Sequence, residues 1–419
     1  MLLAELLTEQ TFRDEYQQHE RARIENQPLL QNRLEEIRQG QALDALEPFA
    51  KAYLGMFYDI DNNIAPEARI YLLVDEPMVE PIIRGLVTAM QQQSLPTPDV
   101  IAAAFSQDDH LGIGYIALAG FDLFLRQGGQ ASQLAPQTVK SIICFHYANS
   151  TYHQDDWLLS LLTASAELAA EAFIPFWQVL RAQGFSYLPG MQAILESDQL
   201  LDLRKRIIVP ATGLMRNNRP KELARMLLAA FSVDATEGLY DTACDVLKLQ
   251  QDVGIRQQAY WQAAAFILEP AVRSNVLSAF VGQEKIKILP LLDFVNWVLQ
   301  ENQQRLSGEA IAELIRIIAP KFTPQTDNYG NLSDISQKVA WLFYLLAIKN
   351  TLPAMQLTKK LKRVRVLKIY SEVLDEVEQL QQQLATGVLT EVPDAEVFIQ
   401  QLHESGKLKS KKKWSDTNF

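Results

Sequence analysis

Only two cysteines occur in 419 residues, Cys144 and Cys244, each in largely apolar surroundings. That usage argues against a disulfide-stapled scaffold and fits reduced, buried thiols in the cytosol. Long apolar runs are missing as well. No window approaches the ~18–20 uninterrupted apolar residues of a membrane span, because Gly120 and Asp122 break one candidate and Glu167 and Glu171 another. The first residues lack a basic region and reach Glu5 before a signal-length apolar stretch develops, so no export is expected and a cytoplasmic location follows. Positive charge is scarce over most of the chain. A net charge of −11 argues against sequence-independent binding to nucleic acid, which requires a basic surface to neutralise many phosphates. The exception is the segment 406–419, where Lys407, Lys409, Lys411, Lys412 and Lys413 face only Asp416. Such a tail suits contact with an acidic partner, nucleic acid or anionic lipid, with Trp414 as an anchor, although a solvated terminus is the plainer expectation.

Motifs that carry chemistry are also missing. Phosphate cradling by a P-loop needs G-x-x-x-x-G-K-[ST], and the one Gly-Lys pair, Gly406-Lys407, is followed by Leu408. Gly112, Gly114 and Ala117 match the loosest dinucleotide fingerprint, yet the preceding residues read as helix plus turn, and no acid follows at the distance that holds a ribose. These glycines are therefore expected to allow close helix packing. Asp59, Asp61 and Asn63 begin like a calcium loop, but Ile64 stands where the sharp turn needs Gly and Ile70 where a bidentate Glu is required. A capped turn is the better expectation.

Of the five histidines, His19, His110, His146, His153 and His403, only one group suggests a metal: His146 and His153, with Asp155 and Asp156 beside them and Asp108, Asp109 and His110 brought near by folding. The spacing is not a metal signature, and Asp155 or Asp156 capping the helix that starts near Trp157 is the better expectation. Cys144 and His146, two apart, point to different faces of a helix, which disfavours a nucleophilic dyad. No catalytic, cofactor-binding or metal-ligating residue is assigned.

What is present is a pattern. Hydrophobic residues make up 48% and charged residues 21%, an ordinary globular balance, and the length exceeds the ~250–300 residues at which one core stops growing. From Pro28 onward apolar residues recur at helical spacing, first Leu30, Leu34 and Ile37, then Leu43, Leu46, Phe49, Ala50, Tyr53 and Leu54, with a turn at Gly40. Thr97-Pro98-Asp99 and Arg219-Pro220-Lys221-Glu222 mark helix starts. Alternating strand patterns are nearly absent, and Arg69 to Val74 equally suits a short helix. The expectation is an all-α chain of stacked antiparallel helix pairs, an α-solenoid in the HEAT-like range of spacing but without a repeated residue signature. Its divisions are read as helical repeats over 1–190 and 191–350, closing helices over 351–405 and a basic tail over 406–419. Leu361, Val364, Leu367, Ile369, Val373, Leu374, Val377 and Leu380 are expected to form the apolar side of the closing hairpin. Most aromatics, among them Phe173, Phe176, Trp177, Tyr260, Trp261, Phe266, Phe294, Trp297, Trp341, Phe343 and Tyr344, fall at core spacing.

Around Phe145-His146-Tyr147-Ala148-Asn149, Asp156-Trp157-Leu158-Leu159 and Ala166-Glu167-Leu168-Ala169-Ala170-Glu171-Ala172, the chain resembles the helical regions downstream of the ATPase in bacterial NACHT-type STAND defence proteins. The similarity in texture extends over about 100–390, while that family's nucleotide motifs are absent. The resemblance implies a sensor arm that grips a foreign protein or holds an ATPase inactive, with ATPase activity on a longer parent chain or a separate partner. Without it, the architecture suits a non-enzymatic protein-recognition array, a constitutive scaffold, or, least, an all-α metal-dependent enzyme using His146 and His153.

Overall fold

The computed structural model describes residues 25–57, 60–109, 111–149, 156–185, 187–215, 219–249, 253–282, 284–322 and 333–408. Among these residues there is no strand, in line with the expected all-α class. Two compact units divide the chain, Met1–Leu214 and Met215–Phe419. The loop at 187–190 lies inside the first unit.

In the first unit α1 (Leu34–Arg38), α2 (Leu43–Tyr53), α3 (Pro66–Tyr71), α4 (Glu76–Gln92), α5 (Pro98–Ser106) and α6 (Gly112–Arg126) are followed by α7 (Pro136–Ala148), α8 (Asp156–Ala164), α9 (Ala166–Ala182), α10 (Met191–Glu196) and α11 (Leu201–Gly213). Proline opens α3, α5 and α7, where its missing N–H is one of the helix's unpaired donors anyway. Gly40 turns the chain from α1 into α2 with φ +69°, and a Cβ there would lie 2.4 Å from the Ala89 nitrogen. Some helices pack on alternate neighbours, α2 on α4, α4 on α6, α5 on α7, α7 on α9 and α9 on α11, while α2 also packs closely on α6 and α5 on α9. Glycine lets two of these backbones close up. A Cβ on Gly85 of α4 would meet the Ile37 carbonyl at 2.1 Å, and one on Gly120 of α6 would meet the Leu86 carbonyl at 2.4 Å.

The second unit comprises α12 (Pro220–Ser232), α13 (Leu239–Lys248), α14 (Ile255–Leu268), α15 (Pro270–Val281), α16 (Lys285–Glu301), α17 (Gly308–Ile318), α18 (Asp334–Ala347), α19 (Leu352–Lys362), α20 (Ser371–Ala385) and α21 (Ala395–Glu404). Here α12 packs on α14, α14 on α16, α16 on α18 and α18 on α20, while α15 packs on α17 and α17 on α19. The residue patterns follow this burial. In α17 the stripe Ile311, Leu314, Ile315 and Ile318 is buried at helical spacing, whereas α14, enclosed by several helices, buries every residue from Ala259 to Ile267. Buried Gln381 of α20 donates from Nε2 to the carbonyls of Leu346 at 2.9 Å and Lys349 at 3.1 Å, satisfying the end of α18. Its Oε1 accepts from Thr358 of α19 at 3.0 Å, so one amide clasps three helices.

Among the described residues no single helix is long and apolar enough to cross a membrane. Residues 157–164 and α9 together have the composition, but they meet at a bend of 100°, and α9 turns Ala169, Phe173, Phe176 and Trp177 into the core.

Candidate functional site

Several of the residues that the sequence singles out are, where the structure describes them, committed to packing. His146 lies half-buried near the end of α7, its ring edge-on to Tyr147 with centroids 4.8 Å apart and to Trp157 at 5.9 Å. Trp157, in the first turn of α8, meets Phe121 of α6 edge-to-face at 4.8 Å. His110, His153 and Asp155 lie outside the described residues, as does the side chain of Asp156, and His19 lies outside them too. Among the described residues no group of three or more His, Cys, Asp or Glu side chains is placed to hold a metal. Asp108 adopts φ +58° in the turn after α5, with Asp109 next to it.

The dinucleotide-like glycines sit on a helix that follows a helix. Residues 98–106 form α5 and Gly112 opens α6, so the strand the fingerprint needs is replaced by a turn. A Cβ on Gly112 would strike the Glu47 carboxylate at 2.2 Å, and one on Gly114 would lie 2.5 Å from the Phe145 ring and 2.4 Å from the Asn149 amide. These glycines serve the approach of α2 and α7 to α6.

The calcium-like segment holds a fixed cation of its own. Asp59 lies outside the described residues, while Asp61 accepts from the Asn63 backbone at 2.9 Å and side chain at 3.0 Å, a local capped turn. Arg69 of α3, only 1% exposed, donates to the carbonyls of Tyr53 at 2.8 Å, Asn62 at 2.8 Å and Ile64 at 3.0 Å. The carbonyls around this turn are thus tied to a guanidinium.

Cys144 is fully buried, its sulfur 3.7 Å from the Ala172 carbonyl, and burial pushes its thiol well above the usual range. Cys244 is half-buried, with the Arg273 guanidinium 3.8 Å from its sulfur. Most of the aromatics are core: Trp177 stacks on Phe173 at 4.8 Å and donates to the Pro189 carbonyl at 2.9 Å. Trp341 is only half-buried, and Trp297 reaches the surface while touching Tyr260.

No family model, curated protein or solved structure matches this chain.

A feature that helical periodicity does not show lies in the second unit. After α19 the chain does not run on as a long helix. Residues Arg365–Tyr370 wind as a 3₁₀-helix before α20 begins. With three residues per turn, positions i and i+3 eclipse and such a segment has three faces. Leu367 and Tyr370 form the buried one, held by the Tyr370 hydroxyl donating to the Phe322 carbonyl at 3.1 Å. Arg365 and Lys368 form a second, and Val366 and Ile369, 58% and 43% exposed, form the third. Ile369, expected in the apolar interior of the closing hairpin, therefore points outward, because the 3₁₀ turn replaces the 3.6-residue period on which that expectation rested.

Two more exposed cations, Lys360 and Arg363, stand just before it at the end of α19. Their neighbours Lys362 and Lys359 are consumed locally: Lys362 pairs with Asp375 at 2.6 Å and with Glu378, which Lys359 reaches at 3.7 Å. Lys360, Arg363, Arg365 and Lys368 make no ion pair among the described residues. The signal was available: six Lys or Arg and no Asp or Glu fall between 351 and 371. The basic tail lies outside the described residues from Lys409 onward, while Lys407 pairs with Glu376.

Proposed function

We infer that this chain is a protein-recognition module whose units are short two-layered stacks of helix pairs, an α-solenoid arrangement of the HEAT-like kind. The observation that carries the reading is the alternate-neighbour packing: α12, α14, α16, α18 and α20 contact one another in succession, and α15, α17 and α19 do the same beside them. Two such rows bury their facing sides and leave each outer row open to a partner. Exposed aliphatic side chains on those outer helices support it, as with Val272 and Val276, one turn apart on α15.

Within this reading the resemblance to NACHT-type STAND proteins suggests the role of a sensor arm in bacterial defence, and that role rests on the resemblance alone. Recovery of the tagged protein from its native cells, with and without phage challenge, tests both levels by mass spectrometry. Stoichiometric capture of an ATPase or a phage protein supports the sensor role. A constant set of partners under both conditions retains the recognition module as a constitutive scaffold, and recovery of no stoichiometric partner in either condition refutes recognition.

A further inference from the structure

We propose that the ledge formed by the end of α19 and the following 3₁₀-helix is the docking site for an extended acidic segment of a partner protein. It rests on the recognition reading and names the chemistry of one partner. Four exposed cations, Lys360, Arg363, Arg365 and Lys368, lack an ion pair among the described residues on a chain whose net charge is −11. Two are arginines, whose planar forks match carboxylates with paired hydrogen bonds. Beside them Val366 and Ile369 present an apolar track, so the surface offers charge and burial side by side.

The spacing favours an extended occupant. A 3₁₀-helix rises ~2 Å per residue, so Arg365 and Lys368 repeat along the ledge at about 6 Å, close to the roughly 6.6–6.8 Å between alternate side chains of an extended strand. Carboxylates at every second position would meet successive cations while aliphatic side chains lie along Val366 and Ile369. A nucleic acid fits less well, since the exposed apolar groups are aliphatic and offer no ring on which a base stacks. A bilayer also fits less well: Glu372 and Asp375, both exposed, open α20 immediately after the ledge, and an anionic plane would be pressed against them. A single strand needs only the width of the cationic row.

The test is fluorescence anisotropy of the full chain with a labelled peptide of alternating glutamate and valine, titrated at several salt concentrations. The expected result is binding that weakens with salt, with the double variant Arg365→Glu/Lys368→Glu losing roughly tenfold or more in affinity, as two attractive pairs become repulsive. Val366→Ser, which keeps every charge, is expected to weaken binding to a lesser degree. Lys205→Glu on α11, an exposed cation of the other unit, controls for bulk charge and should leave affinity within twofold. Unchanged melting of the ledge variants shows that they fold. Equal affinity of the wild type and the double variant overturns the proposal, as does binding of phosphatidylserine vesicles or duplex DNA through the same residues where the peptide is ignored. If the double variant retains every stoichiometric partner in pulldown, the ledge fails while the recognition reading stands; if the wild type has none, that reading fails first.

Discussion

Replacing Arg69 with Met removes a buried guanidinium without greatly changing side-chain length, and the expected loss can be worked from its contacts. Three carbonyl oxygens, those of Tyr53, Asn62 and Ile64, accept from it between 2.8 and 3.0 Å. Hydrogen bonds to a charged donor contribute ~1.5–3 kcal/mol each, which gives a gross figure of roughly 4–9 kcal/mol. Two effects reduce it. Keeping the cation out of water costs several kcal/mol, a cost the variant escapes, and Asn62 is exposed, so its carbonyl regains water when the donor leaves. A net destabilisation of about 2–4 kcal/mol remains. Arg69→Lys keeps the charge but reaches fewer of the three acceptors, and should fall in between. Because the chain has two compact units, one melting temperature is not a sufficient readout. Calorimetry should be paired with hydrogen exchange across 60–72, where protection is expected to drop first. An Arg69→Met protein within 0.5 kcal/mol of wild type would refute the account, and so would a rise in wild-type stability on adding calcium, since the loop would then hold a metal after all.

The helix contacts and one buried phenol give further expectations. Gly85→Ala places a Cβ 2.1 Å from the Ile37 carbonyl, so α1 and α4 must part, costing ~1–3 kcal/mol. Gly254→Ala, where an added Cβ meets no atom within 4 Å and φ is −59°, should stay within about 0.5 kcal/mol, since the smaller unfolded-state entropy offsets the poorer N-cap that Ala makes; urea denaturation distinguishes the pair, and equal effects would count against this helix contact. Burial raises the Tyr147 hydroxyl from its ordinary 10.0 to about 12. The folded state then holds its proton longer than the unfolded chain, so this group's contribution is intact below pH 10 and is lost as pH rises towards about 12. Burial pushes Tyr53 and Tyr370 higher still, so absorbance titration near 295 nm should show a group of late phenols from which Tyr147→Phe removes the amplitude near pH 12, and an unchanged late amplitude in that variant would refute the assignment.

Local signals made the helices legible. Pro98 and Pro220 stand at helix starts where the sequence places them, Gly40 turns the chain with a positive φ, and Ile37, Leu46, Phe49 and Tyr53 are buried as their spacing requires. The pairings were less legible because they depend on contacts distant in sequence. Nothing near Arg69 announces that it will bond Tyr53, sixteen residues earlier, and nothing near Gln381 announces the end of α18. The 3₁₀ segment escaped for another reason. From α19 into this segment Leu361, Val364, Leu367 and Tyr370 recur every third position, a spacing that a 3.6-residue template accepts for one or two turns before it drifts, so the template places Ile369 inward.

The same change of period accounts for where unpaired charge collects. On an α-helix, Lys359 and Lys362 fall within reach of Glu378 and Asp375 on the packed neighbour α20, and pairing there quenches them. Once the chain tightens to three residues per turn, Leu367 and Tyr370 keep the inner face and Arg365 and Lys368 are exposed. Arg365 and Lys368 therefore gain no acid, although α20 carries Glu372, Asp375, Glu376 and Glu378 close by in sequence. Restoring a continuous helix would rotate these side chains and abolish both the cationic row and the apolar track beside it. The ledge is thus a property of the backbone period as much as of composition, and variants that preserve every charge but lengthen α19 should lose it.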